Sequence, residues 1–255
     1  MTPVSISILT EDSGQDAYEV VHSLFRSMLK LIDAQLPLYD RSRISIQPST
    51  DPERQAMRGN IWQAHKSREA RILIQRYIER QVRRHDAIGF VIIHVDGDRP
   101  YHQSKAGTES HNQQRLENDI ISKVRISLQD QPSLLERIMI IVPFYSIESW
   151  LYQNTREALR LLDLHYRSHD GDRRQFQHWQ NNRHELDEVS RPKELVSIHA
   201  RFNRELACQN FPAQQVYDVE KSFHKSVERL RACRALIAAL ESTRSQWEQT
   251  LPEPI

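Results

Sequence analysis

The 255 residues, 38 % hydrophobic and 27 % charged with a formal net charge of +1, suffice for one elaborated α/β domain or two small ones, and that charge balance neither demands nor excludes a nucleic-acid partner. No apolar run approaches the roughly 20 residues that span a bilayer, and Met1-Thr2-Pro3-Val4 enters a short strand without the charged and apolar segments of a signal peptide, so a soluble, cytoplasmic protein with no membrane contact is expected. Cys208 and Cys233 are too few for a disulfide framework and too far apart for a zinc knuckle, and both are expected as buried, reduced thiols.

Four short runs read as strands. Val4 to Leu9 is rich in β-branched residues and ends in Thr10-Glu11-Asp12-Ser13-Gly14. Arg43 to Gln47 alternates apolar and polar residues, the pattern of a strand near a sheet edge. Ile88 to Val95 is apolar on both faces, which suits the interior of a parallel sheet. Ile138 to Val142 is stopped by Pro143. Between them, Asp16 to Leu36 places Val20, Val21, Leu24, Phe25, Met28, Leu31 and Ile32 on one helical stripe. Ile61 to Arg84 reads as a long basic helix, and Arg115 to Leu128 repeats the apolar period. This alternation predicts a mostly parallel, Rossmann-like α/β sheet flanked by helices, whose strand order the pattern does not specify. After Trp150 no strand signal remains. Segments 156–164, 173–182, 192–206 and 213–251 read as helices, with a polar loop over 165–175. The expected division is an α/β catalytic core over 1–155 and an all-helical extension over 156–255.

Ligands of parallel α/β sheets gather beyond the carboxyl ends of the strands, so acidic residues there carry information. Glu11 follows the first strand and Asp96-Gly97-Asp98 the central one. Glu148 lies a few residues past the last, within Pro143-Phe144-Tyr145-Ser146-Ile147-Glu148-Ser149-Trp150. Clustered carboxylates repel one another and are costly to bury unpaired, whereas Mg²⁺ or Mn²⁺ removes that cost by taking oxygen ligands. In Asp-x-Asp at a strand end the two side chains share a face, and Gly97 lets backbone and substrate come close. Such a cation activates water and steadies charge developing on a phosphate. Each acid has a plainer reading: a turn around Gly97, a helix-start Glu11, a surface Glu148. Acids at three successive strand ends favour the metal site, with Glu11, Asp96, Asp98 and Glu148 as catalytic residues and ligands.

The order of Glu after the first strand and Asp-x-Asp after a later central strand resembles the TOPRIM domain of topoisomerases, primases, recombination proteins and OLD-type nucleases. Glu11-Asp12-Ser13-Gly14-Gln15-Asp16 is similar to the family's Glu-Gly-x-x-(Glu/Asp) opening, with Asp12 in place of the glycine. Phe90 to Asp98 is similar to its Asp-x-Asp strand. Pro143-x-x-x-Ile147-Glu148-x-Trp150-Leu151 resembles the Pro-x-x-x-Ile-Glu-Ala-Trp-Leu element of the RloB-like branch of bacterial defence loci. Pro192-Lys193 and Ser222-Phe223-x-x-x-Val227-x-x-Leu230 are similar to elements of that branch's helical tail. The resemblance covers about residues 5–240, and only the short motifs in it are specific. It implies a metal-dependent nuclease active in anti-phage defence. By it Glu11 is a general acid/base or metal-linked residue, Asp96 and Asp98 hold Mg²⁺, and Glu148 is a further ligand. Relatives there act with an ABC-type ATPase. This chain has no Gly-x-x-x-x-Gly-Lys-(Ser/Thr) loop and would depend on such a partner for ATP hydrolysis.

A DNA or RNA backbone would meet Lys66, Arg68, Arg71, Arg76 and Arg80 of the basic helix, with Arg99 and Lys105 in the polar loop after Asp98. The competing reading of that helix is a solvated face knit by salt bridges. The stripe Val227, Leu230, Cys233, Leu236, Ile237 and Leu240 reads as core, or as a face for a homodimer or an ATPase partner. Two other functions stay open: a catalytically silent TOPRIM subunit of an ATPase complex, and an Asp-x-Asp nucleotide-sugar transferase, which leaves Glu11 unexplained.

Overall fold

The computed structural model describes residues 2–11, 16–57, 67–97, 111–198 and 200–250. Strands β1 (Val4–Thr10), β2 (Ile44–Pro48), β3 (Ile88–His94) and β4 (Ile138–Ile141) form one sheet in the order β2-β1-β3-β4, parallel throughout. The two strands that are buried along nearly their whole length, β1 and β3, are the central pair. The alternating β2 lies at the edge, as its pattern predicts.

Helices cover both faces, which is why both faces of the central strands are apolar. On one face, Val4, Ile6, Ile8, Phe90 and Ile92 pack against α1 (Ala17–Ile32) through Val21, Leu24, Phe25 and Met28. On the other, Leu9, Val91, Ile93 and Ile140 meet α2 (Asp51–Met57), α3 (Ser67–Val82) and a helix formed by α4 (His111–Leu116), a π-helical turn (Glu117–Ile121) and α5 (Ser122–Ser127). Helix α3 lies directly on β3. A Cβ on Gly89 would stand 1.9 Å from the Gln81 carbonyl oxygen, so only glycine fits there. Ser5 and Ser7 also face α3; Ser5 Oγ accepts from Arg84 Nη1 at 2.9 Å, and Ser7 Oγ donates to Gln81 Oε1 at 3.1 Å.

The helical extension comprises α6 (Glu148–Leu151), α7 (Thr155–His165), α8 (Asp170–Asn181), α9 (Arg201–Cys208), α10 (Ala213–Tyr217), α11 (Ser222–Ala232) and α12 (Arg234–Glu248). Its buried Phe176, Trp179, Phe202, Phe223 and Leu240 share one apolar cluster with α1 and the sheet, so these helices complete a layer of the same core. Val227, Leu230, Leu236 and Leu240 are buried in that cluster, which removes them from any partner face. Three details differ from the expected pattern. Helix α8 begins at Asp170 inside the expected loop, with Asp170 and Asp172 in its first turn where the helix dipole favours acids. The expected helix over 192–206 is a 3₁₀ turn (Pro192–Leu195) followed by α9, because Arg191 and Ala200 take positive φ of 55° and 49°. The expected helix over 213–251 is three helices, separated by Glu220 at φ 59° and by an extended Cys233. Both cysteines are free; Cys208 is exposed at the end of α9 and Cys233 is half-buried, so neither is the buried thiol expected. No helix among the described residues is long and apolar enough to cross a membrane.

One buried carboxylate ties the extension together. Asp187 accepts from the Ser222 hydroxyl, from the Ser222 amide at 3.3 Å and from Gln153 Nε2 at 3.1 Å. Trp150 Nε1 in turn donates to Ser222 Oγ at 2.7 Å. Burial pushes the Asp187 carboxyl above the usual carboxylate range, although its hydrogen bonds pull the other way. A carboxyl raised in the fold binds its proton more tightly there than in the unfolded chain. The fold therefore loses stability as pH rises from the ordinary aspartate range through the raised value. Urea melts across acidic to neutral pH should show that decline, and Asp187→Asn should flatten it. Gly89→Ala should cost about 2–3 kcal/mol in the same melts, as for other overpacked sites.

Candidate active site

The strand order creates a divergence at the carboxyl edge of the sheet. The chain leaves β1 toward β2 and leaves β3 toward β4, on opposite sides, so the crevice between β1 and β3 is the place where open α/β sheets take ligands. Glu11 and Asp96 stand there. Thr10 pairs with His94 at the end of the ladder, and the Glu11 amide donates to the His94 carbonyl at 3.2 Å. Glu11 Oε1 accepts from the Asp96 amide at 2.7 Å, and Asp96 Oδ1 accepts from the Ile147 amide at 3.2 Å. Two carboxylates thus link the chain segments that leave β1, β3 and β4. Beneath them, fully buried His94 places Nδ1 2.9 Å from Thr10 Oγ1 and Nε2 3.4 Å from Asp96 Oδ1. The Asp96 side chain retains 20 % exposure, which leaves it open to solvent and ligand. Gly97 lets the loop after β4 close over this edge, since a Cβ there would stand 2.8 Å from the Pro143 carbonyl oxygen.

Glu148 belongs to a different network. It is buried, its Oε2 accepts from Ser146 Oγ at 2.7 Å, and its Oε1 accepts from Asn203 Nδ2 at 3.2 Å. Its carboxylate therefore clamps the loop after β4 to α9. Asp98, Lys66, Arg99 and Lys105 lie outside the described residues. Among the described residues no group of three or more His, Cys, Asp and Glu side chains is placed to hold a metal ion, so Glu11, Asp96 and Glu148 do not form the expected ligand set by themselves. The donor chemistry of Glu11 and Asp96 nevertheless fits a hard cation. Mg²⁺ keeps several waters and is commonly held by one or two carboxylates together with substrate phosphates. A carboxylate oxygen that accepts one amide N–H still has a lone pair for an ion.

The basic helix is largely neutralised. Arg71 pairs with Asp119 at 3.1 Å and Arg80 with Glu53 at 3.4 Å. Beyond them Arg83 pairs with Asp130 and Arg84 with Asp86. The C-terminal end of α3 also lies at the wrong edge of the sheet, where Arg84 reaches Ser5 near the start of β1. Arg68 and Arg76 are exposed and have no ion pair among the described residues. Two other cations, which the sequence pattern does not single out, line a cavity beside Gly97. Lys225 and Arg229 of α11 line a cavity of about 140 Å³ together with Gly97, Gln113, Pro143 and Tyr145. Their signal in the sequence is a four-residue spacing on one helix face, opposite the buried Phe223, Val227 and Leu230.

Glu148→Ala leaves the Ser146 hydroxyl and the Asn203 amide without their buried acceptor. It should cost about 2–3 kcal/mol in chemical denaturation, the scale of hydrogen bonds to a charged group. Glu148→Gln, which keeps an acceptor oxygen, should recover most of that loss. No protein-family model matches the chain, and comparison with curated proteins and with solved structures gives no significant match.

Proposed function

We propose that this chain is a divalent-metal-dependent phosphodiesterase of TOPRIM type that cleaves DNA or RNA. One observation carries the reading: Glu11 and Asp96 meet, hydrogen-bonded through the Asp96 amide, in the crevice between the two central strands. Asp96 is left partly open, its side chain 20 % exposed, with the buried His94 beneath it. Glu11 and Asp96 together supply oxygen donors of the kind that Mg²⁺ or Mn²⁺ takes. When bound, the ion supplies an activated water and charge stabilisation on the phosphate.

The protein's own residues position these groups. The Asp96 amide holds Glu11 Oε1, and the Ile147 amide and His94 fix the direction of Asp96. Glu11 is also the group suited to move a proton at the leaving or attacking oxygen, the role that the family resemblance implies. The same resemblance supports a place in bacterial defence beside an ABC-type ATPase. A second reading is a catalytically silent TOPRIM subunit of such a complex, favoured by the finding that no three His, Cys, Asp or Glu side chains among the described residues are placed to hold a metal ion.

The purified protein should be offered plasmid DNA, single-stranded DNA and tRNA with Mn²⁺ or Mg²⁺. Cleavage should fall at least about 100-fold in Glu11→Gln and Asp96→Asn, on the scale of lost electrostatic stabilisation of a transition state. Both variants keep an oxygen to accept the Asp96 and Ile147 amides, so stability should stay within about 1 kcal/mol. Cleavage that survives both substitutions contradicts the proposal. A wild-type protein that cleaves nothing yet binds a host ATPase supports the silent subunit.

A further inference from the structure

The cavity beside Gly97 carries charge that the carboxylate pair does not use. One wall is Gly97, Pro143 and Tyr145; the other is the α11 face that bears Lys225 and Arg229. Both side chains are exposed, and neither pairs with a carboxylate among the described residues. Arg229 spends one N–H on the Ile140 carbonyl at 2.8 Å, which anchors the guanidinium to β4 and leaves its other donors available. This contrasts with α3 and the turn after it, where Arg71, Arg80, Arg83 and Arg84 each have an acid. The hydroxyls of Ser222 and Ser226, also in the wall, donate to Asp187 and to the Ser222 carbonyl, so the cavity's charged donors are the lysine and the arginine. Two cations with no carboxylate partner among the described residues, set on a concave surface, focus positive potential into it. The cavity holds about 140 Å³, room for several waters and hence for a tetrahedral oxyanion. One peptide bond separates Gly97 in its wall from Asp96.

We propose that this cavity is an oxyanion pocket for a phosphate group of the polynucleotide, neighbouring the phosphate presented to Glu11 and Asp96. The proposal rests on the phosphodiesterase reading of those carboxylates. Lys225 contributes a mobile point charge, and Arg229 contributes a fork of donors held in place by β4. The strand would then leave the crevice toward β4 and α11 instead of running along the salt-bridged α3.

The test uses the full chain in EDTA, so that binding is read without cleavage. Inorganic phosphate is titrated by calorimetry, and a labelled single-stranded oligonucleotide is titrated by fluorescence anisotropy over a salt series. The proteins are wild type, Lys225→Glu, Lys225→Arg and Arg229→Gln. Wild type should bind both probes. Lys225→Glu should lose phosphate binding and weaken oligonucleotide binding about 10- to 100-fold, the effect of one charge-assisted hydrogen bond. Its salt slope should fall by about 0.7, the value for one phosphate contact on a single strand. Lys225→Arg should restore both. Variants that melt like wild type and bind both probes unchanged overturn the pocket. Phosphate binding that needs Lys225, beside oligonucleotide binding that does not, overturns the polynucleotide assignment in favour of a free phosphate. With Mn²⁺ restored, cleavage whose KM and salt dependence ignore Lys225→Glu leaves the nuclease reading standing and removes the pocket. Oligonucleotide binding through Lys225 with no cleavage of any substrate keeps the pocket and removes the nuclease reading.

Discussion

A single hydrogen bond organises the upper edge of this sheet: the Asp96 amide donates to Glu11 Oε1 at 2.7 Å. It sets two carboxylates side by side at the point where the chain diverges from the central strands. Asp96 extends the link to the Ile147 amide, so segments from three strands share one polar junction. Placing two acids together costs energy through their mutual repulsion and partial desolvation. Backbone N–H groups offset part of that cost and preorganise the pair through the Asp96 and Ile147 amides. On the proposed reading, a bound hard cation would offset it further.

The helical extension is coupled to that edge. Asn203 of α9 holds Glu148, Arg191 Nε donates to the Tyr145 hydroxyl at 3.2 Å, and Arg229 of α11 reaches the Ile140 carbonyl. Trp150, fully buried beneath the loop, packs edge-on against Phe223 and bonds Ser222. The loop from Pro143 to Trp150 thus rests on the sheet through Gly97 and on the helices through these side chains. These contacts couple α9 and α11 to the loop that carries Ile147, and through the Ile147 amide to Asp96.

The strands were legible because burial on both faces writes continuous apolar runs, and β2 declared itself an edge strand by alternating. Strand order was not legible, since parallel registers leave no local mark. The helix breaks near Arg191, Ala200 and Glu220 were hidden for another reason: each takes a positive φ without being glycine, so the usual sequence punctuation is missing. At the site, Glu11 and Asp96 could be read from their positions after strands. Glu148 could not be sorted from them, because its role depends on Ser146 and on Asn203, which is 55 residues away in the chain. The basic helix misled in the opposite sense. Its acids, Glu53, Asp119 and Asp130, lie on other elements, and pairing across elements is invisible to a one-dimensional charge count. Lys225 and Arg229 carry no mark in the sequence, because two cations on a helix are ordinary until the fold sets them beside Gly97.

The most direct test of the central claim is the binding of Mn²⁺ itself, followed by electron paramagnetic resonance of the free ion during titration. Wild-type protein should deplete the free-ion signal, and Glu11→Gln and Asp96→Asn should each weaken that binding at least about tenfold while Glu148→Gln leaves it unchanged, since only the first two remove a ligand charge. Mn²⁺ binding that is absent from the wild type, or equally tight in all four proteins, would contradict the assignment of Glu11 and Asp96 as the metal-holding pair.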